Sequence, residues 1–309
     1  MQSTSALTAQ SSIPMPEGRW IDVDGVRTRY HEAGAGETIV FIYGGNFGTS
    51  DSGSNAATWN LNLLPLADRF QVLAIDKLGQ GYTDNPKTDA DYTMQAVVQH
   101  TAAFIRALDL PPVHLVGHSR GGYAAARMLM ENHDLVRSLT LVNSGTLSPG
   151  VGTNEVVLSR PPHPKFTAEC VRWIYENYSF DPAAVTDDWV NGVLDALDTP
   201  KYRESVRKVE DEKLGVKLFL PMLARQKRET LTWIDEGRLQ RPTQLIWGYD
   251  DRTATLDRGI ALFRMIARHE RHAQYHIFNQ SGHFPFREHP ARFNALLARF
   301  VSLHAGEHA

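Results

Sequence analysis

The sequence predicts an α/β fold in which a mostly parallel sheet is covered by helices on both faces. Three observations predict it. Short, continuously apolar runs recur along the chain, as strands buried on both faces require. Runs with helical spacing alternate with them across short connections marked by glycine and proline, the pattern of parallel strands joined by crossover helices. Between 147 and 241 the alternation lapses, helical segments follow one another without a strand, and then a strand returns.

The elements follow in order. Trp20–Val23 and Val26–His31 flank Asp24-Gly25, a strong hairpin signal. Thr38–Tyr43 reads as a buried strand and ends in Gly44-Gly45-Asn46. Phe70–Ile75 is another, running into Asp76 and Gly79-Gln80-Gly81. Val97, Val98, Phe104, Ile105 and Leu108 give Met94–Leu108 a helical period. Val113–Gly117 is a strand, Gly121–Asn132 a helix of small residues, and Ser138–Val142 a further strand. Pro161, Pro162 and Pro164 then break the chain. Helices are expected over 167–178, 187–197, 201–209 and 214–235. Gln244–Gly248 and Ala273–Phe278 restore buried strands, and Pro290–Leu303 closes with a helix. The expected organisation is a flexible arm at 1–18, a core at 19–146 and 242–309, and a helical lid at 147–241.

Composition bounds the function. With 309 residues, 42% of them hydrophobic and 22% charged, the chain has enough apolar residues for a large core. A net charge of −3 supplies no global attraction to nucleic acid or an anionic membrane. No apolar run approaches the ~20 residues that cross a bilayer. The first stretch has no Lys or Arg before Arg19 and no apolar block, so it does not read as a secretory signal. The single cysteine, Cys170, excludes an internal disulfide, suits a reducing compartment and reads as a packing residue. The expectation is a cytoplasmic protein that takes a small molecule, with no nucleic-acid or membrane partner. The arm leaves open a contact with a second copy in a homo-oligomer.

The chemistry sits where strands end. Gly117-His118-Ser119-Arg120-Gly121 matches G-x-S-x-G between a buried strand and a small-residue helix, a context that raises the serine above the carboxyl edge of the sheet. A serine hydroxyl needs a base to take its proton. His283, in Ser281-Gly282-His283 after the last strand, lies at the same edge, whereas His276 falls within that strand and His289 beside Pro290. The base needs an acid partner. Asp250 and Asp251 both follow the strand ending at Gly248, in the chain order Ser, Asp, His. Two N–H groups should receive the developing negative charge, one from Arg120 and one from the loop after Tyr43, at Gly45 in preference to Asn46.

Taken together, these residues resemble the α/β-hydrolase superfamily, from Trp20 to Leu303. That fold has an eight-stranded, mostly parallel sheet flanked by helices, with a helical lid inserted after the sixth strand. The pattern looks most like the meta-cleavage-product hydrolases and their ester-cleaving relatives, on Ile39–Asn46, Asp76-Lys77-Leu78-Gly79-Gln80-Gly81, the Ser119 elbow, Trp247-Gly248-Tyr249-Asp250-Asp251, and Gly282-His283 with Glu288 and Pro290. The family spacing places the acid at Asp251, and the resemblance implies no cofactor or metal. Tyr43, Asn46, His118, Arg120 and Phe284 are the implied substrate-binding positions. Where carbon–carbon hydrolases carry His-Gly, Asn before the nucleophile and Trp after the base, this chain has Tyr43-Gly44, His118 and Phe284. The stretch 187–197 also lacks their lid arginine. In related dehalogenases an Arg after the nucleophile binds a substrate carboxylate. Arg120 either does so here, or turns outward, or pairs with a structural carboxylate such as Glu32 or Asp76. Lid arginines Arg160, Arg172, Arg225 and Arg228 are further carboxylate partners to consider.

The resulting expectation is a serine hydrolase with a Ser119–His283–Asp251 triad and an acyl-enzyme, acting on a small carboxylate-bearing aromatic monoester such as a monoalkyl phthalate. The alternative is carbon–carbon hydrolysis of 2-hydroxy-6-oxo-dienoates in aromatic degradation. A non-catalytic ligand receptor is the remaining reading, since fold alone does not make an enzyme.

Overall fold

The computed structural model of the chain describes residues 14–49, 53–150 and 161–306. Its strands are β1 (Arg19–Val23), β2 (Val26–Ala33), β3 (Thr38–Ile42), β4 (Gln71–Ile75), β5 (Val113–His118), β6 (Val136–Val142), β7 (Thr243–Gly248) and β8 (Gln274–Phe278). They form one sheet in the order β1-β2-β4-β3-β5-β6-β7-β8. β2 is antiparallel to β1 and β4, and every other pair is parallel. The hairpin turn is the expected one, with Asp24 at φ 52° and Gly25 at φ 77°, a geometry whose twist matches the flanking strands.

The helices are α1 (Asn60–Ala67), α2 (Met94–Ala107), α3 (Arg120–Glu131), α4 (Ala168–Tyr178), α5 (Asp187–Leu197), α6 (Pro200–Val206), α7 (Leu220–Asp235), α8 (Leu256–Ala267), α9 (Pro285–Glu288) and α10 (Pro290–Leu303). β3, β5 and β7 are buried at every position, because helices cover both faces. Strand alternation divides the apolar residues into two layers. Val40 and Ile42 join one core with Leu115, Met128 and Leu262, whereas Ile39 and Phe41 join another with Trp59, Phe286 and Leu297.

Helices α4 to α7 fill the interval between β6 and β7. Thr167 and Thr186 accept hydrogen bonds from Cys170 N–H and Trp189 N–H and so set the starts of α4 and α5. The expected helix at 201–209 is α6 followed by a π-helical stretch at Arg207–Asp211, and that at 214–235 is α7 preceded by another at Gly215–Phe219. Cys170 is fully buried on α4. Most of the expected arm lies outside the described residues, but its last part is tethered. Met15 packs on the second core and His31 Nδ1–H donates to Pro16 O at 2.7 Å. Among the described residues no helix is long and apolar enough to cross a membrane.

Candidate active site

The site is built where β3, β5, β6, β7 and β8 end. Ser119 joins β5 to α3 with φ 53° and ψ −122°, a conformation that costs a non-glycine residue ~1–3 kcal/mol and that its surroundings must impose. They do so from both sides. Ser119 N–H donates to Val142 O at 2.9 Å, and Ser119 O accepts from Ser144 Oγ at 2.7 Å. The tightness of the turn explains Gly117, where a Cβ would stand 2.5 Å from both Gly121 O and Gly122 Cα.

His283 follows β8 at the same edge, and its ring and Ser119 line one cavity of about 270 Å³. Nδ1–H donates to Asp251 Oδ2 at 2.6 Å, which leaves Nε2 as the basic nitrogen. No Oγ–Nε2 hydrogen bond closes between Ser119 and His283 among the described contacts, a looseness common in such pairs without substrate. Asp251 is buried and receives a full set of donors. Asn143 Nδ2 donates to Oδ2 at 2.6 Å, while Thr253 N–H, Thr253 Oγ1–H and Ala254 N–H converge on Oδ1 at 2.8–2.9 Å. Burial opposes ionisation of Asp251, but His283 and these donors outweigh it and hold the carboxyl below the usual range. The neighbouring Asp250 is directed elsewhere, its carboxylate accepting from Ser281 N–H at 3.3 Å.

Three supporting residues were not identified from the sequence. Asn143, at the end of β6 with φ 43°, donates to Asp251 and accepts from Gly248 N–H at 3.1 Å, spanning two strand ends. Thr253 closes the turn around Asp251. Glu288, noted in the sequence only as part of a motif, accepts from Gly282 N–H at 2.7 Å and from Phe180 N–H at 2.6 Å, while His283 N–H donates to Tyr178 O at 2.7 Å. The loop of His283 is therefore bonded to the C-terminal end of α4. Burial raises the Glu288 carboxyl, and the backbone donors partly oppose the shift. The acid and base loops also touch directly, for a Cβ on Gly248 would lie 1.9 Å from Gly282 O. Gly248→Ala is expected to destabilise the protein by about 3 kcal/mol, read by urea unfolding, and to lower kcat by separating Asp251 from His283.

Arg120 begins α3, so its N–H has no acceptor within the helix, and Gly45 N–H has no partner among the described residues. Gly45, Asn46, Arg120, His118 and Phe284 all border the cavity. Tyr43 borders it too but is fully buried, with its hydroxyl accepting from Lys77 N–H at 3.2 Å, so it shapes the wall without offering a free polar group. His118 Nε2–H donates to His283 O at 2.9 Å, and burial lowers its imidazole well below the usual range. Phe284 packs edge-on to Trp189 and Tyr175 and gives the cavity an aromatic wall.

Neither expected carboxylate partner takes Arg120. Glu32 pairs with Arg19 at 2.6 Å and Asp76 with Arg29 at 3.7 Å. The Arg120 guanidinium lies 6.0 Å from the Phe219 ring, with Nε buried and unpartnered among the described residues. The lid arginines do not join it. Arg172 pairs with Asp187, Arg225 and Arg228 are exposed on α7, and Arg160 lies outside the described residues.

Residues 38–290 match the family described by the alpha/beta hydrolase fold. The 2-hydroxymuconate semialdehyde hydrolase of Pseudomonas sp. (strain CF600) is 30% identical over 92% of this chain and 94% of its own. A 2-hydroxy-6-oxononadienedioate/2-hydroxy-6-oxononatrienedioate hydrolase of Paraburkholderia xenovorans (strain LB400) is 28% identical over 90% of this chain and 91% of its own. Among solved structures, the meta-cleavage product hydrolase of Pseudomonas fluorescens IP01 superposes with a TM-score of 0.75 at 25% identity, covering 93% of this chain and 98% of that one. Sheet order, the Ser119 turn and these likenesses agree: the chain belongs to the alpha/beta hydrolase fold family and is a hydrolase akin to the meta-cleavage product hydrolases.

Proposed function

We propose that the protein is a serine hydrolase using Ser119, His283 and Asp251, and that its substrate is a small aromatic ester bearing a free carboxylate, such as a monoalkyl phthalate. The observation that supports a carboxylate-bearing substrate is Arg120, which lines the cavity beside the nucleophile and whose guanidinium makes no ion pair among the described residues. A carboxylate held there by charge-assisted hydrogen bonds would set the ester carbonyl next to Ser119.

In this reading Ser119 Oγ attacks the carbonyl carbon while its proton passes to His283 Nε2. The carbonyl oxygen becomes an oxyanion facing the N–H groups of Arg120 and Gly45. Collapse expels the alcohol, which leaves with the proton from His283. Water then gives a proton to His283, attacks the acyl-enzyme and frees the acid and Ser119.

The test compares mono- and diesters of one aromatic diacid. Arg120→Ala keeps the backbone N–H and removes the guanidinium. It is expected to lower kcat/KM for the monoester by about 10–100-fold, the worth of a hydrogen bond to a charged group, while sparing the diester. Equal losses on both would remove the carboxylate role.

A second reading keeps the residues and changes the bond. The named activities of the relatives favour hydrolysis of a carbon–carbon bond in a 2-hydroxy-6-oxo-dienoate, whose carboxylate Arg120 would equally receive. Bleaching of a dienoate chromophore by the wild-type protein, lost in Ser119→Ala, would select this reading over the ester one.

A further inference from the structure

We infer that Lys77 is a positioning residue of the oxyanion loop: its Nζ donors clamp the two consecutive peptide units whose N–H groups belong to Gly45 and Asn46. The inference rests on Ser119 acting as nucleophile in the proposed reaction.

Lys77 sits just past β4 and is about 1% exposed. Its Nζ donates to Gly44 O at 2.8 Å and to Gly45 O at 3.3 Å, and lies 4.8 Å from the Tyr43 ring. Among the described residues no carboxylate pairs with it, and burial, with the Arg120 charge nearby, holds its amine well below the usual lysine range, so that it serves the loop as a hydrogen-bond donor. Its partners are instead the carbonyls of the loop at the nucleophile. A Cβ on Gly44 would stand 2.8 Å from Ser119 Cβ, and Gly45 and Asn46 border the same cavity as Ser119.

The consequence follows from peptide chemistry. Gly44 C=O and Gly45 N–H are two ends of one amide, and Gly45 C=O and Asn46 N–H are two ends of the next. A donor on the carbonyl fixes the plane of each amide and draws electron density from its nitrogen, so the N–H becomes a stronger donor. Gly45 N–H and Asn46 N–H have no hydrogen-bond partner among the described residues, as donors reserved for a transient charge should. The sequence favoured Gly45 over Asn46 for the oxyanion. A clamp on both carbonyls orders both.

A donor strengthened in this way acts on the tetrahedral state and little on the bound ester, so its loss should appear in kcat and not in KM. The experiment uses Lys77→Met, which keeps length and packing, and Lys77→Gln, which keeps a shorter uncharged donor. Ester kinetics and the affinity of an arylboronic acid, which forms a tetrahedral adduct on the serine, are measured for both against wild type. Lys77→Met is expected to lose roughly 10–100-fold in kcat with KM little changed, and to lose boronate affinity by a similar factor. Lys77→Gln should fall between it and wild type.

Boronate affinity reports only on folded sites, so a merely structural role would lower yield or Tm while leaving that affinity intact. Wild-type boronate affinity and kcat in either soluble variant, or a fall in active fraction alone, would overturn the assignment. If wild type cleaves no ester or dienoate, or if Ser119→Ala retains activity, the failure is that of the proposed reaction and is recognised before Lys77 is tested.

Discussion

Ser119→Ala is expected to abolish hydrolysis of every substrate the protein turns over, lowering kcat by at least ~10⁴-fold, with residual turnover due to the remaining binding and oxyanion groups. The effect should be purely chemical. Alanine and serine meet the same strain at φ 53° and ψ −122°, the Ser119 N–H and C=O bonds that hold the turn are made by the backbone, and no closed hydrogen bond to His283 is lost. Unfolding midpoints of the two proteins should therefore agree. Ser119→Gly, which removes the strain, should unfold at higher denaturant while being equally inactive. A Ser119→Ala protein that retained a tenth of wild-type activity would place the nucleophile elsewhere.

Asp251→Asn is the second large effect, with an expected loss of about 10⁴-fold in kcat. The five hydrogen bonds to the carboxylate explain why so small a change costs so much. Oδ1 accepts three protein donors, so a replacement amide would keep its oxygen there and turn its NH₂ toward His283 and Asn143. That NH₂ would meet the N–H of His283 Nδ1 and the Nδ2 donor of Asn143, two donors where two acceptors are needed. His283 must then move its proton to Nε2, the nitrogen that should accept from Ser119, and the base is disabled without being displaced. Asp250→Asn is the matched control, since Asp250 bonds Ser281 N–H and not the base. Steady-state kinetics on the two variants checks the assignment, and a larger loss in the Asp250 variant would reverse it.

The parts of the site legible in the sequence are those fixed by local chain geometry. Ser119 was readable because a strand, a tight turn and a small-residue helix are consecutive in the chain, and His283 because it directly follows the last strand. Asp251 was separable from Asp250 only through family spacing, because the direction of a side chain in a short turn depends on which neighbour accepts its bonds. Asn143, Lys77 and the tether made by Glu288 act across strand ends distant in sequence, and no local pattern marks them. For the same reason the two readings of Arg120 could be weighed only once Glu32 and Asp76 were found paired with Arg19 and Arg29. In the fold, the buried strands β3, β5 and β7 were legible from apolar runs, whereas Ala273–Phe278, expected to be buried, is the edge strand β8 with only Phe278 buried, because among the described residues no strand covers its outer side. Helix α1 was not, because its residues NLNLLPLA show almost no polar face and include Pro65.

The carboxylate of Glu288 bonds both the loop that carries the base and the backbone at the end of α4. The end of α4, which lines the cavity through Ile174, Tyr175 and Tyr178, and the loop of His283 therefore share one mechanical coordinate. A displacement at the end of α4 would be transmitted to Gly282 and His283 through these bonds and through His283 N–H to Tyr178 O.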